Sequence, residues 1–413
     1  MSEPVMWSAF RSYLEEQMPS YLEMLENMVN INSFTANPIG VNELGQLTAE
    51  LFAELGFTAE FVPSVNEDYG QHLVLTRNGR SNKALGFVSH LDTVFPAEEE
   101  ERNNFHWRVA GEKIYGPGTV DIKGGTVMMY MVLDGLRQHA PEIFEDVNWT
   151  LLLDSSEEVL ADDFGALCVE RLSAQNALAC LVFEGGSFDN NQFKVVVARK
   201  GMAVCRFAVE GKASHAGSAH EVGANAVVQM ANMISEVAKV TDYEKQVTVN
   251  VGFVNGGTVP NRVPHHAEAA LEMRAFDKTV FEEALANITE IIENPTVTDG
   301  NGDFTCTVKN NISQLTAPWP RNEGTDKLFG IWQEAAQDVG YEVIEEHRGG
   351  LSDGNNIWHT IPTVDGLGPA GGNAHCSERS EDGRKDQEYC YVPSFVPKAM
   401  VNIAGILRLL EAD

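Results

Sequence analysis

Ala84-Leu85-Gly86-Phe87-Val88-Ser89-His90-Leu91-Asp92 is the stretch from which the fold can be read. Residues 84–88 form a short apolar run, the pattern of a strand buried on both faces. An imidazole and a carboxylate follow directly. The same grammar returns three times. Residues 149–153 run into Asp154-Ser155-Ser156-Glu157-Glu158, residues 179–183 run into Glu184-Gly185-Gly186, and residues 361–365 lead through glycine-rich sequence to His375. Helical periodicity over 123–139, 162–173, 326–339 and 394–410 lies between or after these runs. Such alternation predicts an α/β domain on a mainly parallel sheet.

Ahead of this pattern the chain is helical. Trp7, Phe10 and Leu14 share one stripe and Leu22, Leu25, Met28 and Val29 another, with Pro19 expected to break the helix between them. A second helix is expected over 41–55, ending at Gly56. The middle of the chain reads differently. Residues 203–209 alternate and 222–237 are helical. Val247, Val249, Val251 and Phe253 alternate, as do Leu271, Met273 and Ala275. Residues 281–292 are helical, and Phe304, Cys306 and Val308 alternate again. This is the β-α-β-β-α-β order of a ferredoxin-like α+β domain. Residues 198–312 are therefore expected to form a domain inserted into a main domain of 1–197 and 313–413.

A chain of 413 residues exceeds one ordinary core and suits two. Its 29 basic and 60 acidic residues give a net charge of −31, which repels nucleic acid and anionic membranes. No apolar stretch is long enough to span a membrane. Residues 1–11 lack the charged-then-apolar pattern of a signal peptide, so a cytoplasmic protein is expected. Cys168, Cys180, Cys205, Cys306, Cys376 and Cys390 are scattered and read as buried free thiols, Cys376 as a packing residue.

Open α/β sheets bind ligands beyond the carboxyl ends of their strands. His90, Glu158, Glu184 and His375 all follow such ends, and Asp121 lies in the glycine-rich turn Gly116-Pro117-Gly118-Thr119-Val120-Asp121-Ile122-Lys123-Gly124-Gly125. Singly, each has a plainer reading: a structural histidine, a solvated acidic loop, a helix cap. Together they are two imidazoles and three carboxylates, a donor set suited to two divalent ions, zinc or else cobalt or manganese. Adjacent Glu157 and Glu158 directly after an apolar strand are costly unless a cation is near.

Four motifs in order resemble the zinc-dependent carboxypeptidase, aminoacylase and desuccinylase family, which includes glutamate carboxypeptidase and succinyl-diaminopimelate desuccinylase. They are Ser89-His90-Leu91-Asp92-Thr93-Val94, Gly118-Thr119-Val120-Asp121-Ile122-Lys123-Gly124-Gly125, Glu157-Glu158 and Ala374-His375. The resemblance covers essentially the whole chain. It implies a dinuclear metallohydrolase domain in which His90 and Glu184 complete one metal's ligands, Glu158 and His375 the other's, and Asp121 bridges. It further implies that Asp92 bonds the second ring nitrogen of His90, that Glu157 is the general base, and that the Asp121–Ile122 peptide is cis.

In the insert, Gly211-Lys212-Ala213-Ser214-His215-Ala216-Gly217 is similar to the family segment whose histidine reaches a neighbouring subunit's site. His215 would then stabilise an oxyanion in trans, in a homodimer joined through the inserted domain; the plainer reading is a loop histidine. Asn261 and Arg274 match positions that hold the substrate's free carboxylate, although Arg274 also reads as a surface ion pair. Gly350, in Gly349-Gly350-Leu351-Ser352-Asp353, matches a loop whose backbone approaches substrate. The implied activity is hydrolysis of an amide bond next to a free carboxylate, of the glutamate carboxypeptidase type, on a small peptide or N-acyl amino acid. Alternatives are an N-acyl-amino-acid deacylase, a dipeptidase, or a non-catalytic metal-binding homologue. Departures from the family pattern are Ser89 in place of glycine, Val159-Leu160-Ala161 after the paired glutamates, and Pro318-Trp319-Pro320-Arg321.

Overall fold

A computed structural model describes residues 3–159 and 163–412; the expected helix start at Asp162 and the departures at Leu160 and Ala161 lie outside them. The chain divides into two units: Met1–Val197 with Arg321–His347 and Ser352–Asp413, and Ala198–Pro320 with Arg348–Leu351.

The first unit is built on a six-stranded sheet in the order Thr58–Pro63, Gln71–Arg77, Asn148–Asp154, Ala84–His90, Ala179–Val182, Thr363–Val364. Ala84–His90 lies inside it, buried at every residue, with parallel neighbours on both sides. The two strands at one side, Thr58–Pro63 and Gln71–Arg77, pair antiparallel. They carry no clear alternation and are absent from the sequence reading. The run at 361–365 yields only Thr363–Val364, because Pro362 has no N–H to give to a ladder.

Helix Gly124–His139 is buried from Gly124 through Leu136 and forms the centre of the core. Against it pack Glu3–Val29 and Phe395–Glu411. Glu3–Val29 is one helix with Pro19 inside it, not two. A mid-helix proline costs about 3 kcal/mol. Phe10 and Leu14 before it and Tyr21 and Leu25 after it are all buried in the same core, each contributing roughly 1.5–3 kcal/mol. Across the proline, Tyr13 Oη and Tyr21 Oη donate to the same oxygen, Asp134 Oδ2, at 2.9 and 2.8 Å. That shared acceptor fixes both halves to helix Gly124–His139.

The second unit has a four-stranded antiparallel sheet in the order Thr248–Gly256, His266–Ala275, Gly201–Glu210, Thr307–Thr316. Helices Ala226–Ala238 and Lys278–Glu293 share its core. Both begin at side-chain caps, Asn225 and Asp277, and the order is the ferredoxin-like one. The last strand runs on to Thr316, past the expected limit at 312, and the unit reaches Pro320.

All six cysteines are free thiols and five are buried. Cys376 is exposed, contrary to the packing role expected of it. The left-handed residues Asn373 and His375 turn the backbone at the surface there. No helix among the described residues is long and apolar enough to cross a membrane.

Replacing Asp134 by Ala leaves two phenolic hydroxyls without their acceptor, and Tyr21 is buried. Stability should fall by about 2–4 kcal/mol. In urea titrations the midpoint should drop with the slope unchanged; an unmoved midpoint would remove Asp134 as the anchor of the kinked stretch.

Candidate metal centre

In the parallel sheet Val88 pairs with Val182, and two residues further on come His90, the last of its strand, and Glu184, two past the end of Ala179–Val182. The register alone thus sets an imidazole beside a carboxylate. His90 Nε2 is 3.7 Å from Glu184 Oε1 and 3.0 Å from Asp121 Oδ1. Asp121 lies in the turn Thr119–Lys123, which leads into helix Gly124–His139, and its peptide bond to Ile122 is cis. Gly125 is required by closeness: a Cβ there would lie 2.0 Å from the carbonyl oxygen of Phe183, the residue before Glu184. The other oxygen of Asp121, Oδ2, is 3.3 Å from His375 Nε2, which is 3.1 Å from Glu158 Oε2. Two sets result, His90–Asp121–Glu184 and Asp121–Glu158–His375, and within each the ligand atoms lie within 4.8 Å of one another. Asp121 belongs to both.

The donor chemistry fits a pair of divalent cations. Ligand atoms about 2.0–2.1 Å from a tetrahedral ion lie roughly 3.3 Å apart, the range of separations seen here. The carbonyl oxygen of Asp92 accepts from His90 Nδ1 at 2.9 Å, so neutral His90 presents a bare Nε2 to a carboxylate. That contact is attractive only with a second proton on the ring or a cation between them. Glu158 Oε1 is buried and has no hydrogen-bond partner. Burial opposes charge on His90, yet its bonds to Asp121 and Asp92 raise its pKa well above the ordinary value. His375 is raised to about 11 by Asp121 and Glu158. Glu157 is pushed well above the carboxylate range by burial, and the charges of Glu184, Glu158 and Asp121 add to the rise although His90 opposes it. Negative charge is in excess, and the two imidazoles are drawn into neutralising it.

The sequence matches the model of peptidase family M20/M25/M40 over residues 86–384. The chain belongs to this family. It is 28% identical to carboxypeptidase G2 of Pseudomonas sp. (strain RS-16) over 377 residues, 90% of this chain and 86% of that one. Acetylornithine deacetylase of Photorhabdus laumondii subsp. laumondii is 23% identical over 294 residues, 67% of this chain and 73% of that one. Among solved structures, aminopeptidase PepT from Bacillus cereus ATCC 10987 superposes with a TM-score of 0.74 at 22% identity, covering 95% of this chain and 99% of that one, which shows the shared fold. The chain is a peptidase-family hydrolase with a metallopeptidase-type site.

In this member of the M20/M25/M40 family Asp92 has more to hold than the sequence suggests. Its carboxylate is 3.4 Å from His90 Nδ1, and the closer partner of that nitrogen is its backbone carbonyl. The carboxylate accepts instead from Thr35 Oγ1 at 2.7 Å, Glu157 N at 3.1 Å and Glu158 N at 3.3 Å. One residue therefore orients His90 and also fixes the backbone of both glutamates. His72, which sequence reasoning passed over, ties the same segment: Nδ1 lies 3.0 Å from Asp154 and Nε2 3.0 Å from Asp163, with the ring buried. A lone histidine in an apolar strand gave no signal of this.

The second unit carries the remaining predicted residues. His215 Nδ1 accepts from Gly217 N at 3.1 Å and Ser218 N at 3.2 Å, so the neutral ring holds its proton on Nε2. Asn261 lies beside it, its carbonyl accepting from Ala216 N at 3.0 Å. Arg274 donates from Nε and Nη2 to Glu272 at 3.2 and 3.3 Å and from Nη1 to the Gly349 carbonyl at 2.9 Å. Gly350 gives its carbonyl to Arg199 Nη1 at 3.0 Å.

The His72 pairings carry a pH signature. Burial disfavours the imidazolium, but Asp154 and Asp163 outweigh it and raise the pKa. A raised folded-state pKa gives stability that is complete below about 6.5 and is lost as pH rises through the folded value. His72→Gln should therefore cost about 3 kcal/mol near pH 6 and less at pH 9. Thermal melts of both proteins across that range, at fixed metal concentration, test it; an equal gap at both ends contradicts a charged His72.

Proposed function

We propose that this chain hydrolyses an amide bond adjacent to a free carboxylate, in small peptides or N-acyl amino acids, as a carboxypeptidase of the glutamate carboxypeptidase type. The observation that carries this is the position of Glu157. It lies close enough to His90, Glu184, Glu158 and Asp121 to feel their charges, yet it belongs to neither ligand set. A purely structural metal site has no use for such a group.

In this reading His90, Asp121 and Glu184 hold one divalent ion and Asp121, Glu158 and His375 the other, zinc in preference to cobalt or manganese. Bound there, the ions would acidify a water and polarise the scissile carbonyl. Glu157 takes the water's proton and returns it to the leaving nitrogen. His215 donates from Nε2 to the developing oxyanion, acting on the site of a partner subunit in a dimer formed through residues 198–312. Asn261, the Gly350 backbone and Arg274 hold the free carboxylate. The bonds to Glu272 and Gly349 account for three of the five N–H donors of Arg274, which leaves two for a carboxylate in the bidentate manner. The likeness to carboxypeptidase G2 supports release of a C-terminal amino acid; that to acetylornithine deacetylase supports the second reading, deacylation of an N-acyl amino acid.

Glu157→Gln should keep both metal equivalents and lower kcat by about 10²–10⁴-fold. The assay is a panel of folyl- or benzoyl-glutamate, N-acetyl amino acids, N-succinyl-diaminopimelate and dipeptides, with zinc, cobalt or manganese supplied. Undiminished turnover by the variant would sink the general-base assignment, and failure of wild type on every substrate would favour a binding protein.

The action of His215 on a partner has its own test. Mixing His215→Ala with Glu157→Gln subunits should restore part of the activity, because one site of each heterodimer then combines an intact Glu157 with an intact His215. Confirmed heterodimers without recovered turnover would count against action in trans.

A further inference from the structure

Glu388 is fully buried and immediately precedes the strand Tyr389–Tyr391. Its carboxylate reaches the turn that carries Asp121: Oε1 accepts from Val120 N at 3.0 Å and from Asp121 N at 3.3 Å. Its main chain reaches the segment that carries His375, with Glu388 N donating to the Cys376 carbonyl at 2.8 Å. Neighbouring bonds extend both ties. Gly116 N donates to the Glu388 carbonyl at 3.4 Å, and Asn373 Nδ2 donates to the Gln387 carbonyl at 3.3 Å. Gly372 pairs with Tyr389 in a two-stranded ladder.

The turn at 119–123 and the segment at 373–376 are far apart in sequence, and each is irregular where its functional side chain sits. His375 has φ 64° and Asn373 φ 59°, and Asp121 departs from the helical geometry of its neighbours. Neither segment lies in a strand that would set its position by register, as the parallel sheet does for His90 and Glu184. Yet Asp121 Oδ2 and His375 Nε2 stand 3.3 Å apart. Something outside both segments must fix that separation, and Glu388 is bonded to each.

We infer that Glu388 is a positioning residue for the metal centre, holding the Asp121 carboxylate and the His375 imidazole in mutual register through its side chain on one and its main chain on the other. This rests on the reading of Asp121 and His375 as metal ligands. Glu388 touches neither ion nor substrate. Its effect falls most heavily on the ion shared by Asp121, Glu158 and His375, because the ion held by His90 and Glu184 keeps two ligands set by strand register. Its second oxygen, Oε2, is buried without a hydrogen-bond partner, so acceptance at Oε1 is the feature the position needs.

The test is zinc uptake by metal-stripped protein, followed by calorimetric titration and by metal analysis after dialysis, with a thermal melt on each variant. Glu388→Gln keeps an acceptor for the Val120 and Asp121 N–H groups and should take up two equivalents with near wild-type affinity. Glu388→Leu loses the acceptor and should bind the second equivalent about 10–100-fold more weakly, with the first much less affected. Glu388→Asp, charged but one methylene shorter, should fall with Leu, and it carries the comparison if the Leu variant does not fold. Wild-type affinity for both equivalents in the Asp variant would overturn the inference. So would a Gln variant as impaired as the Asp variant, since an acceptor of the right reach would then not suffice. Wild type that takes up fewer than two equivalents would instead overturn the metal reading itself, and this inference with it.

Discussion

The carboxylate of Asp121 faces His90 with one oxygen and His375 with the other, at 3.0 and 3.3 Å. Every other group in the centre is placed by reference to that division. His90 brings Glu184 with it through the parallel register, and His375 brings Glu158 through a direct contact. A carboxylate can serve two partners in this way only if its plane is held, because a rotation that improves one contact spoils the other. The backbone of Asp121 is accordingly held on two sides. Gly125 lets the following helix come against the Phe183 carbonyl, and Glu388 takes the two N–H groups at the head of the turn.

The same economy appears around the paired glutamates. Glu157 and Glu158 differ by one position and have opposite tasks in the proposed chemistry, one off the ligand sets and one within them. Their backbone N–H groups both go to Asp92, whose own carbonyl orients His90. Behind them His72 links Asp154 to Asp163, at the start and beyond the end of the glutamate segment. A short segment of like charges would otherwise spread to reduce repulsion. Buried hydrogen bonds to its main chain, where charge repulsion cannot easily break them, keep it in place.

What the sequence discloses about this centre follows from what each residue depends on. His90 and Glu184 owe their placement to strand ends, and a strand end is legible as the point where an apolar run stops. Glu158 and His375 follow the same logic less directly, and the family resemblance supplied their order. Helices and the ferredoxin-like order were legible because amphipathic periodicity survives in any context. Thr58–Pro63 and Gln71–Arg77 were not, since their pairing is decided by a neighbour distant in the chain. Pro19 misled for the same reason: its local cost is visible in the sequence, and the Asp134 carboxylate that receives a hydroxyl from either side of it is not. Glu388, and the hold of Asp92 on the two glutamates, act through main-chain N–H groups, whose partners leave no trace in composition or spacing, and His72 meets carboxylates more than 80 residues away in the chain.

The two units differ in how firmly they commit their charged groups, and this bears on the substrate proposed above. In the first unit the imidazoles and carboxylates contact one another and have little freedom. In the second, Arg274 divides its donors between Glu272 and a carbonyl of the 348–351 segment, and its guanidinium plane is thereby fixed before any ligand arrives. A pre-set plane lowers the ordering cost of binding a carboxylate. The adjacent Glu272 works the other way, since its charge must be tolerated by any anion that approaches. The balance favours a ligand that meets the guanidinium in its plane with two oxygens at once, which a terminal carboxylate does and a neutral amide cannot. In the proposed function it is Arg274, so oriented, and not the metal ligands, that would distinguish a free carboxylate beside the scissile bond from an amide chain continuing past it.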